Sequence, residues 1–151
     1  MSNGKTHGKT GIAVAQRKRA RDLLVQALYQ WQIGGADAKT VEAEFRADNG
    51  RKTDWDFFHD ALSYIAENTS TIDQLYASYL DRELKQLDPI EFGLLRLGIY
   101  ELSQRIDVPY RVVINEYVDL AKKYGAAESH KFINGVLDKA ARKLRAVEQR
   151  A

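Results

Sequence analysis

From Ala20 onward the apolar residues Ala20, Leu23, Leu24, Ala27, Leu28 and Trp31 recur at the spacing of one helix face. The pattern predicts a first helix starting near Arg17 and stopping at Gly34-Gly35, because glycine takes the left-handed conformation that a helix end favours. A short helix is expected around Val41–Ala47, broken near Asn49-Gly50. Thr53 or Asp54 can cap a third, carrying Trp55, Phe58, Leu62 and Ile65; Thr69 or Ser70 can cap a fourth, carrying Ile72, Leu75, Tyr76 and Tyr79.

Asp88-Pro89 opens a helix to about Gln104, since proline is comfortable in a first turn. Its apolar residues Ile90, Phe92, Leu94, Leu95, Leu97, Ile99 and Leu102 point nearly all round, the mark of a buried central helix. Asp107 and Pro109 start the next, with a stripe of Val113, Tyr117, Leu120, Ala121 and Tyr124, and Gly125 stops it. Ser129 is expected to cap the last helix, whose stripe is Phe132, Ile133, Val136, Leu137, Ala140 and Leu144. No stretch alternates with period two between hairpin turns, so the expected fold is all-α, a compact bundle of about seven helices.

Composition sharpens the picture at one end. The net charge of +2 hides six Lys/Arg before Asp22 (Lys5, Lys9, Arg17, Lys18, Arg19 and Arg21) and no acid among them, which leaves the rest of the chain net acidic. Basic segments of this kind bind polyanions, because each phosphate contact releases condensed counterions. Residues 1–15, with Gly4, Gly8 and Gly11 and little to bury, read as a flexible basic leader; residues 16–148 read as the folded domain. The chain has no cysteine, which excludes disulfides and thiolate metal sites and fits a reducing cytoplasm. No apolar run reaches the roughly 18–20 residues needed to cross a bilayer, so no membrane association is expected.

Chemistry for catalysis is missing from the pattern. Gly4-Lys5-Thr6-His7-Gly8-Lys9-Thr10 suggests a phosphate loop, but Asn3 stands where its first glycine belongs, and no strand precedes it. The three histidines, His7, His59 and His130, are far apart and lack a second ligand at i+3 or i+4, so neither metal nor cofactor is expected. Glu91, Glu101 and Glu116 sit on predicted helices, where carboxylates are more often solvated or paired than catalytic. The chain reads as a non-enzyme. What does stand out is Arg17-Lys18-Arg19-Ala20-Arg21 at the start of the first helix, with Arg17 and Arg21 as i, i+4 neighbours and Lys18 beside them. Arginine's planar fork suits phosphates and base edges. Tyr29, Tyr79 and Phe132 could stack on splayed bases, although aromatics at helical spacing are usually core.

Four segments, in order, carry a family resemblance. They are Arg17-Lys-Arg-Ala-Arg-Asp with Val25-Gln-Ala-Leu-Tyr-Gln-Trp31; Glu91 with Leu95-Arg-Leu and Tyr100-Glu-Leu; Asp107-Val-Pro-Tyr with Ile114-Asn-Glu116; and Ser129-His-Lys-Phe-Ile-Asn-Gly-Val-Leu-Asp-Lys139. Together they resemble the NusB transcription antitermination factors over residues 17 to 145. The resemblance implies two packed helical subdomains and a role in processive antitermination. It implies pairing with NusE, a small-subunit ribosomal protein, recognition of single-stranded boxA RNA from ribosomal RNA operon leaders, and assembly with RNA polymerase and other Nus factors. Residue by residue it implies an RNA-binding start at Arg17, Lys18, Arg19 and Arg21. Tyr79, Lys131 and Phe132 would lie on the RNA face, with Glu128 as an acidic residue bordering it. Tyr29 would be a functional position and Glu91 a NusE contact.

Two other readings compete with this one. The chain could be the NusB-like module of an RNA cytosine methyltransferase, if it is a fragment of one. Alternatively it could be a scaffold that binds protein alone.

Overall fold

The computed structural model describes residues 3–150, with side chains for 11–149. Among the described residues it contains eight α-helices and no strand. They are α1 (Asn3–Gly34), α2 (Ala38–Asp48), α3 (Trp55–Glu67), α4 (Thr69–Ala77), α5 (Pro89–Gln104), α6 (Tyr110–Tyr124), α7 (Ser129–Leu144) and α8 (Ala146–Arg150), with one 3₁₀ turn at Leu84–Gln86. The chain divides into two compact units, Met1–Ser63 and Tyr64–Ala151, the boundary falling inside α3.

In the first unit α1 packs on α2. Most of the predicted stripe is buried: Ala20, Leu23, Leu24, Ala27 and Leu28 are at most 5% exposed, whereas Trp31 at its far end is only half-buried. The helix ends where Gly35 takes φ +76°, a conformation that would strain any residue with a Cβ. Its start differs from expectation. The pattern demands a helix only from about Arg17, whereas α1 begins at Asn3. Once the buried turns around Leu23 have nucleated the helix, each further residue adds one backbone bond, and Ala13 and Ala15 favour that extension. Gly11–Ala15 are exposed, so packing plays no part there. The side chains of Lys5 and Lys9 in the predicted leader lie outside the described residues.

Asp37 caps α2 by accepting from the Thr40 amide at 2.8 Å, and this bond holds its carboxyl below the usual range. Asp54 caps α3 through the Phe57 amide at 3.0 Å, settling the choice between Thr53 and Asp54. An aromatic cluster of Phe45, Trp55 and Phe58 closes this unit, with Trp55 edge-on to Phe58 at 5.0 Å.

The second unit is built round α5, which packs against α4, α6 and α7. Ten residues of α5 are buried, as its all-round apolar pattern predicts. Asp88 and Glu91 form a reciprocal capping box at its start, Asp88 accepting from the Glu91 amide at 2.8 Å and Glu91 from the Asp88 amide at 3.2 Å. α5 meets α7 closely: a Cβ on Gly98 would lie 2.7 Å from Leu137 Cδ2.

A polar network joins α4 to α5. Arg96 forks onto Asp73 at 3.0 and 2.9 Å, and the Tyr76 hydroxyl donates to the same carboxylate at 2.8 Å. Burial and the neighbouring Asp73 charge push the Tyr76 phenol far above its usual range, so it stays protonated as the donor.

Three expected caps are replaced by other devices. α4 has Asn68 at its N-cap without a side-chain bond, and Thr69 donates backwards to the Ile65 carbonyl at 2.8 Å, because α4 follows α3 almost without interruption. α6 starts after Pro109, and its first amide, Tyr110, is met by Glu148 from α8 at 2.9 Å. In α7 the N-cap is Glu128, with φ 72°, and Ser129 is the first helical residue, buried with its hydroxyl toward Glu91. α7 is followed by α8, which the apolar pattern does not signal.

Candidate nucleic-acid interface

The basic run in the first unit is divided by burial. Arg17 is half-buried; its Nε donates to Asp54 Oδ2 at 2.9 Å, and its guanidinium lies 4.6 Å from the Phe57 ring centroid. Arg21 is 4% exposed and lies over the same ring at 5.5 Å. As helix spacing predicts, the two share a face, but that face packs on the start of α3. Lys18 and Arg19 are the exposed members, and Arg19 reaches Asn49 Oδ1 at 3.1 Å. Of the four cations, these two are the ones presented to solvent.

Tyr29 is 40% exposed on α1, beside a shallow apolar depression shared with Ile33, Ala36 and Val41.

In the second unit, Tyr79, Lys131 and Phe132 come together around a hollow of about 160 Å³, with Gly135 and Lys139 on its wall. Tyr79 arrives just beyond α4; Lys131 and Phe132 arrive on the first turn of α7. That turn owes its placing to Glu128, whose left-handed backbone starts α7 and whose carboxylate pairs with Lys131 Nζ at 2.7 Å. Both partners of this pair are about 70% exposed, so water screens it and an external anion could compete for the lysine.

Phe132 is half-buried, and one face is covered by the Arg82 guanidinium at 4.1 Å from the ring centroid. Arg82 donates from Nε to Asp81 Oδ1 at 2.7 Å, which holds the Asp81 carboxyl below its usual range. Arg82 also lies 4.0 Å from Glu91 Oε2. Glu91 itself is 6% exposed, its carboxylate turned to the α5 cap and to Ser129. Sequence spacing does not reveal Arg82, which stands 50 positions before the ring it covers. The only local sign is the charged run Asp81-Arg82-Glu83.

A hollow lined by two aromatic rings, two lysines and Asp81 on one unit, and a basic helix on the other, invite comparison with known proteins. The NusB family model matches residues 18–142. The transcription antitermination protein NusB of Teredinibacter turnerae is 48% identical over 139 residues, covering 91% of this chain and 95% of that protein. The one from Pseudomonas savastanoi pv. phaseolicola is 49% identical over 138 residues, covering 91% and 84%.

The chain belongs to the NusB family.

Solved NusB structures share its fold. NusB from T. maritima superposes with a TM-score of 0.75 at 32% identity, covering 84% of this chain and 91% of that one. A second match is described as the antitermination factors NusB and NusE in complex with double-stranded RNA; it has a TM-score of 0.70 at 28% identity, covering 83% and 95%. The NusB match accounts for both units, and it spans the basic run from Lys18 as well as the Phe132 hollow. No helix among the described residues is long and apolar enough to cross a membrane.

Proposed function

We propose that this chain is a non-catalytic, cytoplasmic RNA-binding factor of transcription antitermination. It pairs with NusE, binds boxA RNA of ribosomal RNA operon leaders, and joins RNA polymerase with other Nus factors. The observation that carries the reading is the convergence of Tyr79, Lys131 and Phe132 on one hollow in a NusB-family chain, supported by the relative seen with NusE and RNA.

The residues divide the work by exposure. Lys18 and Arg19 meet phosphates; Arg17 and Arg21 hold the base of α1 against Phe57 and set the direction in which the other two point. Phe132 supplies a stacking platform for an unpaired base, Lys131 a phosphate contact, and Tyr79 the far wall. Glu128 competes with phosphate for Lys131, so its neutralisation strengthens binding. Tyr29 offers an exposed aromatic for partner contact. Glu91, being buried, serves a partner indirectly by fixing the first turn of α5.

The methyltransferase-module reading is disfavoured by relatives that are antitermination proteins and are covered to 95% and 84% by this chain. The deciding experiment is a gel shift of the protein with NusE on boxA RNA and on a scrambled RNA. Tighter binding to boxA than to the scrambled RNA, and than either protein achieves alone, is expected. Equal affinity for both RNAs would leave only a non-specific or protein-only role.

A further inference from the structure

The Arg82–Phe132 contact differs from the other close arginine–aromatic contact described in this unit, the one at Phe92; Arg111 lies farther from Tyr110, at 5.6 Å. Arg96 lies over Phe92 at a similar 4.5 Å, but it is locked there by a forked pair with Asp73, and its side chain is only 11% exposed. Arg82 is held more loosely: its fork onto Asp81 has one short arm of 2.7 Å and one long arm of 3.5 Å, and Glu91 stands 4.0 Å away. The Arg82 side chain is 36% exposed, its carboxylate partner Asp81 is 71% exposed, and both stand on a stretch without regular secondary structure between α4 and the 3₁₀ turn. The ring beneath it, by contrast, is fixed on α7, between the buried Ile133 and the turn begun by Glu128. The result is one rigid plane and one movable plane.

With the guanidinium carbon 4.1 Å from the ring centroid, the two groups are in contact and leave no room for a base between them. A nucleobase inserted there needs two van der Waals separations of about 3.5 Å each, so the guanidinium must rise by roughly 3 Å. A partly exposed arginine side chain on an irregular segment can make that movement, whereas a ring seated on α7 cannot. Guanidinium planes stack on bases as aromatic rings do.

We propose that Arg82 is a specificity-determining residue of the RNA site: it covers Phe132 in the free protein, and an unpaired base inserts between the two. This rests on the RNA-binding reading and adds to it a second stacking surface. A helical duplex keeps its bases stacked on each other, so the sandwich selects RNA with a base free to leave the stack. Asp81 positions the guanidinium and hands it over when the base arrives.

The test is a double-mutant cycle with Arg82→Ala, Phe132→Ala and the pair, using the full chain with NusE and boxA RNA carrying 2-aminopurine at single positions. Arg82→Lys serves as the charge-preserving control. Arg82→Ala is expected to weaken binding about tenfold, within the range of one base–aromatic stack, but to change little once Phe132 is already alanine. Arg82→Lys should behave like Arg82→Ala, and the fluorophore quenched on binding should recover in both. Additive losses, or full affinity in Arg82→Lys, would show that Arg82 acts as a charge at most and overturn the sandwich while leaving RNA binding intact. Absence of boxA binding by the wild-type pair would instead remove the underlying reading along with it.

Discussion

Arg145, at the end of α7, donates from Nε to the Leu102 carbonyl near the end of α5 at 2.8 Å. Its Nη2 reaches the Glu101 and Arg105 carbonyls at 3.2 and 2.9 Å, and the residue is 4% exposed. A helix leaves its last carbonyls without internal partners, and these carry the negative end of its dipole. One buried guanidinium therefore terminates the central helix of the second unit. Arg145→Ala should cost about 3 kcal/mol, because it strands buried carbonyls as well as losing the bonds. Lysine should recover only a fraction, having no planar fork. Urea unfolding followed by circular dichroism measures both; a loss below about 0.5 kcal/mol, typical of a surface change, would mean that water replaces the guanidinium.

Gly98→Ala sets two effects against each other. Alanine favours a helix interior by about 1 kcal/mol over glycine. Its Cβ, however, would lie 2.7 and 2.8 Å from the two Cδ atoms of Leu137, a fully buried residue that would have to shift. Overpacking costs about 1–3 kcal/mol, so net destabilisation is expected. Leu137→Val, which removes both Cδ atoms, should be less harmful in the Gly98→Ala background than alone. Thermal melts of the four proteins provide the coupling.

Lys18 and Arg19 should separate from Arg17 and Arg21. Replacing the exposed pair by alanine should leave unfolding unchanged and flatten the salt dependence of RNA binding, by about 0.7 in log–log slope for each lost phosphate contact to single-stranded RNA. Replacing Arg17 or Arg21 should instead lower the stability of the first unit, since each guanidinium rests on Phe57. Trp31 and Trp55 both belong to that unit, so tryptophan fluorescence during urea titration reports it directly.

The α6–α8 junction is expected to respond to acid. The Tyr110 amide, and secondarily Arg145, hold the Glu148 carboxyl below the ordinary glutamate range. A depressed folded-state value means that the contribution is complete above the unfolded value and fades as pH falls through the folded one. The Tyr110 amide resonance should therefore titrate with a midpoint below that of a free glutamate, and the transition should vanish in Glu148→Gln. An ordinary midpoint would mean that Glu148 does not cap α6 in solution.

How far the sequence could be read depended on the range of the interaction. Stripes such as Ile133, Val136, Leu137 and Ala140 encode burial locally, every third or fourth residue, and they placed α1 through α7 with boundaries mostly within a few positions. Gly35 and Asp88 were visible for the same reason: the strain or the cap is decided within one turn. What the local pattern does not encode depends on residues brought together by the fold. Ser129 looks like a cap, yet the backbone turns left-handed one residue earlier, at Glu128. Glu148 caps a helix 38 positions away, and Arg82 covers a ring 50 positions on. Similarly, helix spacing placed Arg17 and Arg21 on one face but could not say that Phe57 and Asp54 would occupy it.

Phe132 and Ile133 are adjacent in sequence and opposite in surroundings, one half-exposed at the hollow, the other fully buried. Along α7 the same few turns thus face the proposed RNA surface on one side and the folded interior on the other. A mutant screen over this helix should yield two phenotypes only one residue apart: alleles at Lys131 and Phe132 defective at every temperature with normal protein levels, and alleles at Ile133 and Val136 that fail on warming as the protein is lost.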